Sequence, residues 1–378
     1  MQRCSYASYR DGSWQSNATA TAPYRLTRDL QTNAFVKGWA YGKGRFWGTC
    51  DEGFPETYIR PAVKQSWVPK QCELRAFDRD AFCRRLTATG RPLRLLFVGD
   101  SYTGQLFISL LALLGGAVVK NEGSTRTSAS GAWAWDEIPI SELRADGLAC
   151  INDRTPPVHI QFTRNENIET NLKESTSRFA HRYPFTHQLG AETLLLTQAT
   201  AWFHTDGAGW RRNLGSLLNE SARKIGDGWQ QRVVVFSASY GHFNCSVETG
   251  RGIIHPAKAP KPGQHDYPLL NSIGERMAAE AGVTWLDIST PLSERPDGHM
   301  PADCGHWCLP GPYDIAAQLL FNALTGHIEG APVAGAQNKA GAKGRGRGKA
   351  AGGRGSAPRR SVAIPRGRGP LRGKAPAT

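Results

Sequence analysis

Ser101 stands where a hydrophobic run gives way to a helical pattern. Leu95, Leu96, Phe97 and Val98 are consecutive large apolar residues, as expected of a strand buried on both faces. Gly99, Asp100 and Ser101 end the run, and Leu106, Leu110, Leu113 and Leu114 follow at helical spacing. A serine at such a junction lies at the carboxyl edge of a sheet, where open α/β folds place their chemistry. The first N–H groups of the helix then face any oxyanion formed on it. Strand, Gly-Asp-Ser and helix also make an ordinary helix cap. The serine needs a partner.

The partner comes late in the chain, in Asp303-Cys304-Gly305-His306-Trp307-Cys308-Leu309-Pro310-Gly311. A serine hydroxyl needs a general base, and histidine is the side chain that titrates near neutral pH. The imidazole in turn needs a group that fixes its tautomer and stabilises its charge. Asp303, three residues before His306, is expected to fold back to the far ring nitrogen within one turn. The flanking cysteines staple that turn, and Pro310-Gly311 ends it before a helix. The alternative is a disulfide-held surface turn in which His306 caps the next helix.

Other elements must carry these residues. Phe77 to Leu86 reads as a short helix leading to the Ser101 strand. Val158 to Phe162 alternates as a strand, while Thr193 to Thr197 and Arg232 to Phe236 read as buried strands. Leu214, Leu217, Leu218, Ala222 and Ile225 mark one helix face; Leu269, Leu270, Ile273 and Met277 mark another. Val283 to Ile288 reads as the last strand and Asp314 to Leu324 as the closing helix. Gly123 to Gly131 reads as a flexible loop, followed by Trp133 and Trp135, either a substrate-facing pair or an edge-strand alternation. Strands alternating with helices imply a parallel sheet covered on both faces. The fold class expected is α/β, a three-layer αβα domain with a parallel central sheet.

The chain has 378 residues and 40% hydrophobic content, enough for a large single domain or two small ones. Its net charge of +14 is concentrated at one end: residues 331–378 carry +12, with no Asp or Glu. That Gly-, Ala-, Arg- and Lys-rich tail cannot build a core and is expected to be disordered, either inert or a grip for a polyanion. Eight cysteines favour an oxidising compartment, as do the sequons at Asn17, Asn219 and Asn244. Neither an apolar run of about 18 residues nor a signal peptide at Met1 is visible. The Cys and His residues lack zinc-finger spacing and no Gly-rich phosphate loop is present, so no metal or bound cofactor is expected.

Gly99-Asp100-Ser101 together with Asp303-Cys-Gly-His306-Trp307-Cys-Leu-Pro-Gly311 resembles the plant trichome-birefringence-like family of polysaccharide O-acetyltransferases. That family falls in the PC-esterase group of the SGNH/GDSL hydrolase superfamily. Supporting segments are Trp67-Val-Pro-Lys-Gln-Cys72-Glu-Leu74, Val235 to Phe243, and Leu286-Asp-Ile288 with Arg295-Pro-Asp-Gly-His299. The resemblance spans roughly residues 1–326. It implies an aromatic, disulfide-tied N-terminal lobe (residues 1–75) on an SGNH-like catalytic domain (76–326), ahead of the tail (327–378).

The resemblance also implies roles. Ser101, His306 and Asp303 become a nucleophile, base and orienting acid. The oxyanion would rest on the Ser101 N–H and on Gln198, which stands where the family has asparagine; otherwise Gln198 simply ends its strand. Trp202 and His242 are candidate sugar contacts, although His242 could instead hold the Cys245 loop. Disulfides Cys4–Cys72, Cys50–Cys308 and Cys245–Cys304 are implied. Cys83 and Cys150 have no family counterpart and are either a private bridge or free thiols, and Ala112 stands where the family has cysteine. Trp14, Trp39, Trp47 and Trp67 form either a sugar-stacking lobe or a wrapped cover.

The activity implied is transfer of an acetyl group, from acetyl-CoA or another acetyl carrier, to a polysaccharide hydroxyl. The alternatives are an acetyl-esterase with the same residues and a non-catalytic glycan-binding protein. A Golgi or other secretory location is implied, with membrane association expected only if an anchor precedes this chain.

Overall fold

The computed structural model describes residues 2–19, 21–24, 40–41, 45–46, 50–51, 54–55, 57–88, 93–122, 144–151, 156–171, 184–198, 203, 206–242, 244–249, 252–254, 267–300 and 303–329. The chain divides into Met1–Ala336 and Gln337–Thr378, and every described residue belongs to the first unit. The tail begins later than 327: Ile328 and Glu329 pair in parallel with Cys4 and Ser5, which keeps them in the fold. Residues 330–378, the Gly123–Gly131 loop, Trp39, Trp47, Trp133, Trp135 and Trp202 lie outside the described residues.

The core is a seven-stranded sheet. Its strands are β1 (Arg94–Gly99), β2 (Ala117–Glu122), β3 (Arg144–Ala149), β4 (Val158–Arg164), β5 (Thr193–Gln198), β6 (Val233–Phe236) and β7 (Thr284–Leu286). Their spatial order is β7-β6-β5-β1-β4-β3-β2. The strands from β7 through β4 run parallel. At the far edge β3 pairs antiparallel with both β4 and β2, so the sheet is mixed where a parallel one was expected. The physical reason is local: β2, β3 and β4 pair as a meander, and only the strands joined by helices need run parallel.

The helices are α1 (Arg79–Thr87), α2 (Ser101–Leu113), α3 (Gly207–Ile225), α4 (Pro268–Ala281) and α5 (Ile315–Leu324). Alternation along each parallel strand divides the core into two clusters. Leu95, Phe97, Leu194, Leu196, Val234 and Phe236 pack with Phe82, Phe107, Leu110 and Phe321 from α1, α2 and α5. Leu96, Val98, Leu195, Val233 and Val235 pack with Trp210, Leu214, Leu217, Leu270 and Ile273 from α3 and α4. The result is three layers, αβα. Leu95 to Val98 are fully buried, worth about 1.5–3 kcal/mol per side chain. Leu269 is half-exposed rather than core: the buried face of α4 runs through Leu270, Ile273, Gly274 and Ala278.

The first 75 residues brace this core. Cys4 is joined to Cys72, Cys50 to Cys308, Cys245 to Cys304, and Cys83 to Cys150, so α1 is also clipped to the end of β3. Trp67 is buried with its indole N–H on the Tyr9 carbonyl at 2.8 Å. Trp14 packs edge-on against it and donates to the Pro291 carbonyl at 2.7 Å. The Arg295 guanidinium stacks 4.7 Å from the Trp14 ring. These two tryptophans are structural cover. Among the described residues no helix is long and apolar enough to cross a membrane. Four disulfides fit a secretory or extracellular environment.

Gly99 shows why the strand must end as it does. A Cβ there would sit 2.1 Å from the Thr103 hydroxyl oxygen, because the helix begins so soon after β1 that its first turn lies on the strand end. Gly99→Ala should therefore destabilise the fold by about 1–3 kcal/mol in denaturant unfolding, and a second change, Thr103→Ala, should restore part of the loss. Equal stability of Gly99→Ala and the parent would contradict this packing.

Candidate active site

Asp100 caps α2, accepting from the Tyr102 N–H at 3.0 Å, and is fully buried. Ser101 is the first residue of the helix and is 8% exposed, so its hydroxyl sits at the carboxyl end of β1 against the start of a 13-residue helix. The positive end of that helix is aimed at whatever the serine binds.

His306 is not in a turn. Asp303–Trp307 forms a strand, β9, antiparallel to the short strand β8 (His299–Met300). Met300 pairs with Asp303 and His299 with Trp307, so Cys304, Gly305 and His306 bulge out of the ladder. A bulge is a means of re-aiming a side chain. Here it delivers His306 to Ser101: Nε2 lies 2.9 Å from Oγ. Asp303 heads the same strand. Its side chain lies outside the described residues, so the expected contact between its carboxylate and the imidazole does too.

The imidazole is held from several sides. The Tyr102 ring stacks on it, with centroids 4.9 Å apart and planes 17° apart. Gln105, fully buried and one helical turn past Ser101, clamps the next residue: its Nε2 donates to the Trp307 carbonyl at 2.7 Å and its Oε1 accepts from the Trp307 N–H at 3.1 Å. The helix that carries the serine therefore grips the strand that carries the histidine. Motif reading passed over Gln105, although a polar residue four positions after Ser101 in an apolar helix was a visible signal.

Beyond the motif, the turn is locked by a buried carboxyl group. Asp314 accepts from Tyr24, Ser109 and the Gly311 N–H, and burial raises its pKa above the usual carboxylate range. Arg60, itself buried, pairs with Asp51 at 2.6 Å and donates to the Pro310 carbonyl at 2.6 Å. Cys50 and Cys308 add a covalent tie between the N-terminal segment and this loop.

Gln198 is fully buried at the end of β5, one residue past the Thr197–Val98 pair. Its Oε1 faces the Tyr313 hydroxyl at 3.2 Å, and its Nε2 has no hydrogen-bond partner among the described residues. The same Tyr313 hydroxyl makes a closer contact, 2.9 Å, to the Tyr102 carbonyl. Burial pushes that phenol far above its ordinary range, so it remains a donor. His242 is half-buried with both ring nitrogens on protein groups: Nε2 on the Ser293 carbonyl at 2.9 Å and Nδ1 beside His299 Nε2 at 2.6 Å. The one other candidate sugar contact, Trp202, is outside the described residues.

No family model matches the chain. Among curated proteins, trichome birefringence-like 38 of Arabidopsis thaliana is 25% identical over 299 residues, which is 70% of this chain and 73% of that protein. Trichome birefringence-like 42 of Arabidopsis thaliana is 21% identical over 304 residues, 69% and 77% respectively. Xylan O-acetyltransferase 2 of Oryza sativa subsp. japonica is 24% identical over 331 residues, 70% and 63%. These matches support the resemblance to the trichome birefringence-like family.

The clamp gives a direct test. Gln105→Leu removes both partners of the buried Trp307 backbone, at about 1–3 kcal/mol for each group left unpaired. Denaturant unfolding should show that loss, and Gln105→Glu should be milder than leucine if the Trp307 N–H is the costlier orphan. A leucine variant within about 0.5 kcal/mol of the parent would mean that the clamp does not hold the strand.

Proposed function

We propose that the protein is a polysaccharide O-acetyltransferase working through an acetyl-serine at Ser101. The observation that carries the reading is the 2.9 Å contact between His306 Nε2 and the Ser101 hydroxyl at a helix N-terminus. The resemblance to xylan O-acetyltransferase 2 supports the choice of acceptor class.

In this reading His306 takes the Ser101 proton as Oγ attacks the acetyl carbonyl of the donor, acetyl-CoA or another acetyl carrier. The carbonyl π electrons move to oxygen, and the oxyanion is received by the Ser101 N–H and the buried Gln198 amide. Collapse breaks the bond to the carrier, which leaves with the proton held on His306. A sugar hydroxyl then gives its proton to His306 as it attacks the acetyl-serine. Collapse breaks the Oγ–acyl bond, His306 returns the proton to Oγ, and the sugar departs as the ester. Asp303 fixes the imidazole tautomer and balances its charge. Trp202 contributes a flat apolar face to the acceptor sugar. The protein acts in the Golgi lumen or elsewhere in the secretory pathway, and its basic tail attracts acidic glycans.

Incubating the oxidised full chain with an acetyl donor should add one acetyl-sized mass increment that maps to Ser101 and is absent in Ser101→Ala. His306→Gln should slow its formation by about 10³–10⁴-fold, and Asp303→Asn should also slow it strongly. An acceptor glycan should discharge the adduct faster than water does. Discharge by water alone, at the same rate with every glycan, would make the protein an esterase. No adduct from any donor would remove the covalent reading.

A further inference from the structure

The contact between His242 and His299 cannot be made by two neutral rings. His242 Nε2 faces the Ser293 carbonyl at 2.9 Å, and His299 Nδ1 faces the His306 carbonyl at 3.0 Å. A carbonyl only accepts, so each of those nitrogens carries a hydrogen. A neutral imidazole has one N–H, and each ring has now spent it. The remaining nitrogens, His242 Nδ1 and His299 Nε2, lie 2.6 Å apart. Without another proton, two lone pairs would face each other at hydrogen-bond distance.

We propose that His242 and His299 share one proton, and that this singly charged pair is a positioning device for His306. The grip is on the bulge itself. The His299 ring holds the His306 carbonyl, while the His242 backbone N–H holds the Cys304 carbonyl at 3.0 Å. Both ends of the segment that presents His306 to Ser101 are thus tied to the pair. Neither ring touches the reacting atoms; they act through the backbone of the base. The catalytic consequence rests on the Ser101–His306 reading, whereas the shared proton does not.

The surroundings favour one charge and resist two. His299 is fully buried, and its ring lies 4.1 Å from the Trp307 ring, whose π face favours a cation. Asp297, itself bound by Arg295, favours the charged form of His242, and Tyr240 packs 4.9 Å from the His242 ring. Burial nevertheless holds His242 below the ordinary histidine range. A second proton would set two imidazolium rings against each other at 2.6 Å, so it enters only in more acidic solution. Below the ordinary histidine pKa of about 6.5 the unfolded chain binds more protons than the folded one, so stability contributed by the pair falls as pH drops through that window.

The test separates the two layers. In the full chain carrying Ser101→Ala, with disulfides intact and histidine rings labelled with ¹⁵N, long-range ¹H–¹⁵N spectra near neutral pH should show three protonated nitrogens among the four of this pair. Assignment comes from His242→Gln and His299→Gln. Two protonated and two bare nitrogens would overturn the shared proton, whatever the protein's activity. In protein with an active Ser101, His242→Gln should lower the acylation rate at saturating donor by about 10- to 100-fold. The donor concentration for half-saturation should stay the same and the acid limb of the rate profile should shift. A His242→Gln variant with parental rate and acid limb would overturn the positioning role. If the protein with an active Ser101 forms no acyl-serine, the functional reading fails while the spectra still decide the proton.

Discussion

The 2.9 Å contact from Ser101 Oγ to His306 Nε2 brings together residues 205 positions apart. A single such bond contributes only about 1 kcal/mol net, so it cannot hold its own geometry. The rest of the structure does that. β1 fixes the start of α2, and Gly99 lets the helix begin at once. Gln105 then reaches across to the backbone of Trp307, and Tyr102 stacks on the imidazole. The bulge in β9 sets the histidine at the required distance, because a regular ladder has no place for Cys304, Gly305 and His306.

The N-terminal segment belongs to the same arrangement. Its cysteine at position 50, its Arg60–Asp51 pair and its Tyr24 hydroxyl all end on the stretch from Cys308 to Asp314. That stretch follows the histidine directly, so bracing it limits how far β9 can move. A contact as directional as the one at 2.9 Å from His306 to Ser101 persists only where the backbone behind the ring is fixed, and the bracing does this.

Much of this was legible in the sequence, for specific reasons. Leu95 to Val98 could only be a doubly buried strand, and the change of period after Ser101 announced the helix. The density of Asp, Cys, Gly, His and Trp around position 306 marked a site. What the sequence hid was long-range or geometric. The motif looked like a turn because its residues favour turns, yet pairing with His299 and Met300 draws it into a bulged strand. The antiparallel edge depends on which strands meet, and no residue near β2 or β3 states that. Leu269 fits the apolar period but lies at the margin of the buried face of α4. Gln105 and the paired histidines were readable as polar residues, but their roles depend on backbone groups supplied from distant segments.

The central claim is that Ser101 is made nucleophilic by His306. The most direct measurement is labelling of the oxidised full chain with a fluorophosphonate, which reacts with activated serines and needs neither the acetyl donor nor the glycan. One adduct per chain is expected, on Ser101, and almost none in His306→Gln. Labelling of Ser101 that is indifferent to His306→Gln, or an adduct on another serine with Ser101 untouched, would contradict it.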